Sequence, residues 1–442
     1  MDLTVEQALA LAPDANSAAA GRKLARPGNW RHLGRSDNAL WGECQGSALY
    51  QTRIDLSDYA TNCSCPSRKF PCKHALGLLV LAATSPGGVP IADAPEWVTS
   101  WLDKRSQRAT RADSPVRSEI AAPPKLEQHR RQQRRQARVQ AGVEALELWL
   151  DDLMRNGLAQ AGMQPARFWE QQAARLVDAQ APGLASRVRR LSAIPNASPD
   201  WPARLLDELG KLALLTHAFG RIDELNPALQ DDIRTSVGWT IERAEACERG
   251  DTVTDEWLVI GQRVVTEERL RAQRTWLLGA GCGRAALILQ FAHGAAPFTE
   301  TFAPGTQFAA DIAFFPSTHP QRAIVRERRG NPRPLRLTDS SPVGQSIDTM
   351  LASWATALGT QPWIERIPVI LRAVSPVISE QGSWVVREDS GKALRLEASP
   401  HWTLLAHSGG RPIDLIAEWD GEALAPLGVF VASEWHALPV NG

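Results

Sequence analysis

Apolar residues recur along this chain with two different periods, and the change of period divides it. Near the N-terminus, Thr4-Val-Glu-Gln7 has the form of a capping box and predicts a short helix to about Ala12, stopped by Pro13. Ser17 to Ala25 predicts a second helix, and Gly28 to Gly34 reads as irregular chain or a short strand. Ala39 to Leu56 carries two strand-like runs split at Gly46-Ser47, which predicts a hairpin whose second strand is Leu49 to Leu56. Pro71 suits a helix entry, and Cys72 to Ala83 then predicts an apolar helix ended by Ser85-Pro-Gly-Gly88. Trp97, Trp101 and Leu102 follow at helical spacing and predict a last turn folded back onto this first unit.

Ser106 to Pro124 loses the period, contains Pro115, Pro123 and Pro124, and reads as a flexible linker. From Val139 to about Ala246 the period is helical. Leu146, Leu150 and Leu153 form one stripe, and Pro165 opens a helix with Phe168, Trp169, Leu176 and Val177. A third helix carries Leu205, Leu206, Leu209, Leu212 and Leu215, and Asn226-Pro227 caps a fourth with Ile233, Val237 and Ile241. These stripes predict the core of a bundle of four or five helices. After Gly250-Asp251 the period shortens. Strands are predicted at Trp257–Val265, Ala285–Phe291, Phe308–Phe315, Arg322–Arg326, Ile367–Ala373, Trp384–Arg387, Ala393–Leu396, Thr403–Ala406, Pro412–Trp419 and Gly428–Val431, with one helix at Ser346–Leu358. The fold class is therefore multidomain α+β: a small N-terminal module (1–103), a basic, Pro-containing linker (104–125), a helical bundle (126–250) and a β-rich mixed C-terminal domain (251–442).

The N-terminal module carries Cys63-Ser-Cys-Pro-Ser-Arg-Lys-Phe-Pro-Cys-Lys-His74, which makes it a candidate zinc-binding module. In extended chain, residues two apart project to one side, so Cys63 and Cys65 can face one point. Cys72 and His74 cannot share a helix face, so Cys72 is placed just before a helix and His74 in its first turn. Three thiolates and an imidazole close a tetrahedral zinc site with no open position, which makes the ion structural. The plainer alternatives are reduced, buried thiols or a disulfide pair, and four ligand-type residues within twelve positions argue against both. Arg68, Lys69 and Lys73 sit in or beside the motif and can either offset its net negative charge or touch phosphate.

Composition adds three limits. The chain has 442 residues, too many for one ordinary core, and 43% hydrophobic residues, normal for a globular protein. Cys44, Cys247 and Cys282 show no pairing pattern, which suits a reducing compartment and reads as small apolar packing. No signal peptide opens the chain and no apolar run reaches membrane length, so no membrane association and a cytoplasmic location are expected. The net charge of zero hides an asymmetry: residues 104–140 hold 11 Lys or Arg against 3 Asp or Glu. Within them Arg130, Arg134 and Arg138 would line one helix face, with Arg131 and Arg135 beside it. Such a face can neutralise phosphates, or it can be an ordinary solvated lead-in, and no aromatic residue interleaves for base stacking.

The CxC…CxH arrangement at Cys63, Cys65, Cys72 and His74, preceded by a strand and followed by a helix, resembles the SWIM zinc-finger family. Trp41-Gly-Glu-Cys-Gln-Gly-Ser, Val177-Asp-Ala-Gln-Ala-Pro-Gly and the Trp276-Leu-Leu-Gly region are similar to bacterial SWIM-type proteins of comparable length. The resemblance implies Zn2+ as cofactor, a module that binds proteins or nucleic acid, and protein partners such as a MoxR-type AAA+ ATPase and a von Willebrand factor A-domain protein.

Three functions compete. A non-enzymatic zinc-binding adaptor mediating protein–protein contacts is favoured by the closed metal set and by the lack of HExxH, GxSxG or P-loop motifs. DNA or RNA binding through the zinc module and residues 130–138 comes second. An enzyme built around His401, His407, His436, Asp414 and Glu418 comes third, because such residues are more often ordinary strand polar groups. Gly279-Ala-Gly-Cys-Gly283 lacks the spacing of a nucleotide loop and reads as a turn between strands.

Overall fold

A computed structural model describes residues 3–46, 48–113, 125–267, 270–294, 296–335, 344–431 and 434–438. The N-terminal unit begins with α1 (Val5–Ala10), whose Thr4–Gln7 capping box is fully formed, and α2 (Ala15–Leu24), capped by the Asp14 side chain. A four-stranded antiparallel sheet follows in sequential order: β1 (Trp30–Arg35), β2 (Ala39–Gln45), β3 (Leu49–Asp55) and β4 (Thr61–Cys63). α3 (Lys73–Thr84) is buried on nearly every side, as its unbroken apolar run requires. It crosses α2 closely: a Cβ on Gly21 would stand 2.7 Å from Leu76 Cβ, and one on Gly77 2.8 Å from Leu24 Cβ, so only glycine permits the approach.

α4 (Glu96–Asp113) packs back on this sheet. Arg53 lies 5.5 Å from the Trp97 ring and 5.7 Å from the Trp101 ring, and Arg105 pairs with Asp55 at 3.1 Å and Asp58 at 2.7 Å. The predicted linker thus starts too early. The Trp97 helix continues through Ser106 to Asp113, because no proline interrupts it before Pro115; residues 114–124 lie outside the described chain.

The helical unit comprises α5 (Lys125–Asn156), α6 (Leu158–Ala161), α7 (Ala166–Asp178), α8 (Pro182–Leu191), α9 (Trp201–Gly220), α10 (Pro227–Val237) and α11 (Arg243–Arg249). Its core joins Val139, Leu146 and Leu150 of α5 to Trp169 and Leu176 of α7, Leu184 of α8, Leu205, Leu209 and Leu212 of α9, and Ile233 of α10. The stripes read from the sequence are the faces that meet. Leu206 and Val177 turn outward, about half exposed.

Five strands then close a barrel: β5 (Thr252–Glu267), β6 (Leu270–Gly279), β7 (Ala285–His293), β8 (Thr306–Phe314) and β9 (Arg322–Pro334). The order β5-β6-β7-β9-β8 returns to β5, and β7 runs parallel to β9. This is the five-stranded Greek-key connectivity of OB-type barrels, which present strands two and three to ligands. Here the outer side of β6 is covered from within the chain. The final unit contributes α12 (Ile347–Thr360), β10 (Ile367–Ile378), β11 (Trp384–Arg387), β12 (Ala393–Arg395), α13 (Trp402–Ser408), β13 (Ile413–Trp419), β14 (Leu424–Val431) and β15 (Glu434–Ala437). Its sheet, ordered β12-β11-β10-β13-β14-β15, lays Ile416, Leu427, Phe430 and Trp435 against Leu258, Ile260, Trp276 and Leu278 of the barrel.

Thr403–Ala406, expected as a strand, belongs to helix α13. Leu404 and Ser408 are one turn apart and both buried, and Gly409 closes the helix in the left-handed conformation at φ 55°. β6 and β15 were not foreseen at all.

Asp232 joins three of these units. It accepts from the Thr318 backbone N–H at 2.9 Å and the Thr318 hydroxyl at 2.6 Å on the β8–β9 connection, and from Gln361 Nε2 at 2.9 Å after α12. Burial pushes its carboxyl above the usual range. Asp232→Ala leaves these donors facing a cavity and is expected to cost about 2–3 kcal/mol, read as a lowered urea midpoint with an unchanged slope.

Candidate metal centre

Local chain geometry brings the four ligands of the motif together. β4 pairs with β3, with Cys63 opposite Thr52, so the first thiol is carried on a sheet edge. Cys65 follows two residues on, past the end of the strand. The Pro66–Pro71 segment crosses to α3, where Cys72 is the N-cap and His74 lies in the first turn. Lys69 anchors that crossing to α2 through a 2.7 Å contact with Asp14, and the lysine lowers the Asp14 carboxyl below its ordinary range.

Ligand atoms of Cys63, Cys65, Cys72 and His74 all lie within 4.8 Å of one another. His74 presents Nδ1, at 3.8 Å from Cys63 Sγ and 4.0 Å from Cys72 Sγ. Zinc bonds of about 2.3 Å to sulfur and 2.0 Å to nitrogen imply tetrahedral edges of about 3.5–3.8 Å, so the two histidine–cysteine distances fit the ion with a contraction of a few tenths of an ångström and no pair needs more than about 1 Å. Cys72 and His74 are buried, while Cys63 and Cys65 are partly so. Tyr50 of β3 covers the imidazole, with ring centroids 5.0 Å apart. Cys44 is buried next to the module but is not one of the four donors.

The thiols differ sharply in acidity. A hydrogen bond from Cys72, aided by His74 and the Thr52 hydroxyl, holds Cys63 at about 3, against the burial that opposes it. Cys72 is pushed far up, first by its hydrogen bond to Cys63, then by burial. Burial also raises Cys65. One thiolate therefore stands ready, and two more are opposed until a dication arrives. Loading zinc near neutral pH should release about two protons, and affinity should fall as pH drops. Titration calorimetry in buffers of different ionisation enthalpy reads that number; release of none would contradict the assigned donors.

Of the cations named from the sequence, Arg68 and Lys73 are exposed beside the site. Arg135 is turned inward, 5.1 Å from the Trp239 ring and 3.4 Å from the Gly238 carbonyl. Arg130, Arg134 and Arg138 are exposed on α5, and the side chain of Arg131 lies outside the described set.

The histidines of the third reading do not assemble with the acids named beside them. Asp414 accepts from the Ala373 N–H at 2.8 Å, and Glu418 is committed to Arg274 and Trp276. His407 instead meets His436, whose Nδ1 lies 2.9 Å from Glu6 of α1, a contact the sequence could not announce across 430 positions. A cavity of about 370 Å³ is lined by Glu397, His401, Trp402 and Leu438, among others. Its two ionisable groups are engaged: Glu397 pairs with Arg263 at 2.7 Å, and His401 Nε2 is 3.1 Å from the Glu397 backbone oxygen. Cys282, expected to pack as a small apolar group, is exposed on the β6–β7 turn, whereas Cys44 does pack in the core.

Residues 50–82 match the family model of the SWIM zinc finger, and residues 134–237 match that of the SWIM-associated four-helix bundle domain. No curated protein and no solved structure matches the chain. Among the described residues, no helix is long and apolar enough to cross a membrane.

Proposed function

From a chain that carries a SWIM zinc finger and a SWIM-associated four-helix bundle, we propose that the protein is a non-catalytic adaptor. The zinc ion holds one docking module in shape, and protein partners assemble on the whole. The donor set carries this reading. Cys63, Cys65, Cys72 and His74 bring four ligand atoms within 4.8 Å of one another, the full complement of a tetrahedral zinc ion, which leaves no position for substrate or reactive water.

The integration of the units supports it as well. Gln7 of α1 donates to the Gly305 carbonyl of the barrel, and Tyr59 donates to the Pro332 carbonyl at 3.1 Å. Asn331 donates to the Asp37 carbonyl at 3.2 Å. The outer faces of β5 and β6, at Leu258, Ile260, Trp276 and Leu278, are spent on the C-terminal sheet. The partner class is a MoxR-type AAA+ ATPase with a von Willebrand factor A-domain protein. A cytoplasmic location belongs to the same proposal, because three zinc-binding thiolates persist where thiols stay reduced.

Affinity purification of the zinc-loaded protein from its native host, after nuclease treatment, tests the reading. Stoichiometric recovery of an ATPase or A-domain partner is the expected result. Recovery of no protein partner at native expression levels would overturn it.

A further inference from the structure

The arginine face of α5 is left over once the adaptor reading is complete. Among the described side chains of α5, Val139 is the first in the bundle core. The 14 residues from Lys125 to Arg138 therefore run about 20 Å ahead of that core at 1.5 Å per residue. Among the described side chains of this arm, Arg130, Gln133, Arg134, Gln136, Ala137 and Arg138 are exposed, and Arg135 turns back, onto Trp239. Arg130, Arg134 and Arg138 repeat every fourth residue, about 6 Å apart in rise. Like charges at that spacing destabilise a helix. Among the described residues no carboxylate pairs with these three, and the acidic residues of α5 that follow begin only at Glu144.

We infer that this arm is a sequence-independent contact for the phosphate backbone of duplex nucleic acid. Charge complementarity selects the occupant. An anionic membrane surface would need an apolar face for the helix to bury, and the exposed residues here are arginine, glutamine and alanine. An acidic protein would need an aromatic or aliphatic anchor at the centre of its interface, and the described side chains from Arg130 to Arg138 offer none. A phosphate ladder needs only guanidinium and amide donors. The lack of stacking residues points to paired strands with their bases covered rather than to single strands. Phosphates would also remove the repulsion within the ladder. Arg135, Lys69 and the zinc ligands take no part.

The test uses the full-length, zinc-loaded protein with 30-base-pair DNA and RNA duplexes, and with phosphatidylserine vesicles, at 20–200 mM salt. Three neutralised phosphates give a slope of about −2.7 in log K against log salt, or about 40-fold weaker binding at 200 than at 50 mM. Binding to either duplex with that slope, abolished in Arg130→Gln/Arg134→Gln/Arg138→Gln with helix content unchanged by circular dichroism, is the expected result. No duplex binding at 20 mM salt, an unchanged slope in the triple variant, or binding to vesicles alone would each overturn it.

Discussion

Replacing Cys72 with serine is expected to strip zinc from the protein and release the chain between β4 and the start of α3. Cys72 holds two positions at once: it is a metal ligand and the N-cap of α3. Serine is the better helix cap, so any loss cannot be charged to the cap. What goes is one of four bonds to the ion. Structural zinc in small finger peptides contributes about 10–16 kcal/mol of apparent binding energy, which is folding energy there. The loss here is bounded, because Leu40, Ile54, Leu76, Leu79 and Leu81 form a core independent of the ion and reach Ala303 of the barrel. The expected result is therefore local: zinc content falls well below one per chain, proteolysis opens within residues 61–74, and the helical bundle keeps its transition. Cys44→Ser provides the contrast. It places a hydroxyl in a buried site, at a cost of about 1–3 kcal/mol, yet leaves zinc at one per chain. Equal zinc content and protease resistance in Cys72→Ser and the unmodified protein would remove the metal centre from this account.

The difference between those cysteines shows what a sequence can carry. The metal site is a local object: four donors in twelve residues, with strand spacing before a turn and a helix entry after it, so its geometry follows from the spacing. The bundle was legible for a similar reason, since each of its principal helices is one-sided. The barrel was not. In β6, Trp276, Leu277 and Leu278 are all buried, one side by the barrel interior and the other by the C-terminal sheet. Alternation, the usual mark of a strand, is erased. α13 has only seven residues, too few to show a helical period. The polar junctions are harder still. Glu6 meets His436, and Asp232 meets Thr318 and Gln361, only after the units have folded against one another.

Glu418 is the junction whose loss should cost most. It lies on β13 with no exposure, in the interface between barrel and C-terminal sheet. Arg274 of β6 donates to it twice, at 2.9 and 2.8 Å, and Trp276 Nε1 donates at 2.9 Å. Burial pushes its carboxyl up, but the arginine pair, the indole and the nearby Arg366 outweigh this and hold it below the ordinary glutamate range. Its contribution is thus complete above that range and is lost as pH falls through the lowered value. Glu418→Ala leaves a guanidinium and an indole N–H without their acceptor in a closed interface, for an expected loss of about 3–5 kcal/mol. Glu418→Gln keeps the shape and an acceptor and should lose about 1–3 kcal/mol. A double replacement, Arg274→Met with Glu418→Leu, removes both charges and should recover most of the deficit, short of the part owed to the orphaned Trp276 N–H. Urea unfolding followed by tryptophan emission measures all three. If Glu418→Ala matched the unmodified protein, the ion pair would not hold the sheet to the barrel. If the double variant were no better than Glu418→Ala, the loss would come from packing rather than from an abandoned charge.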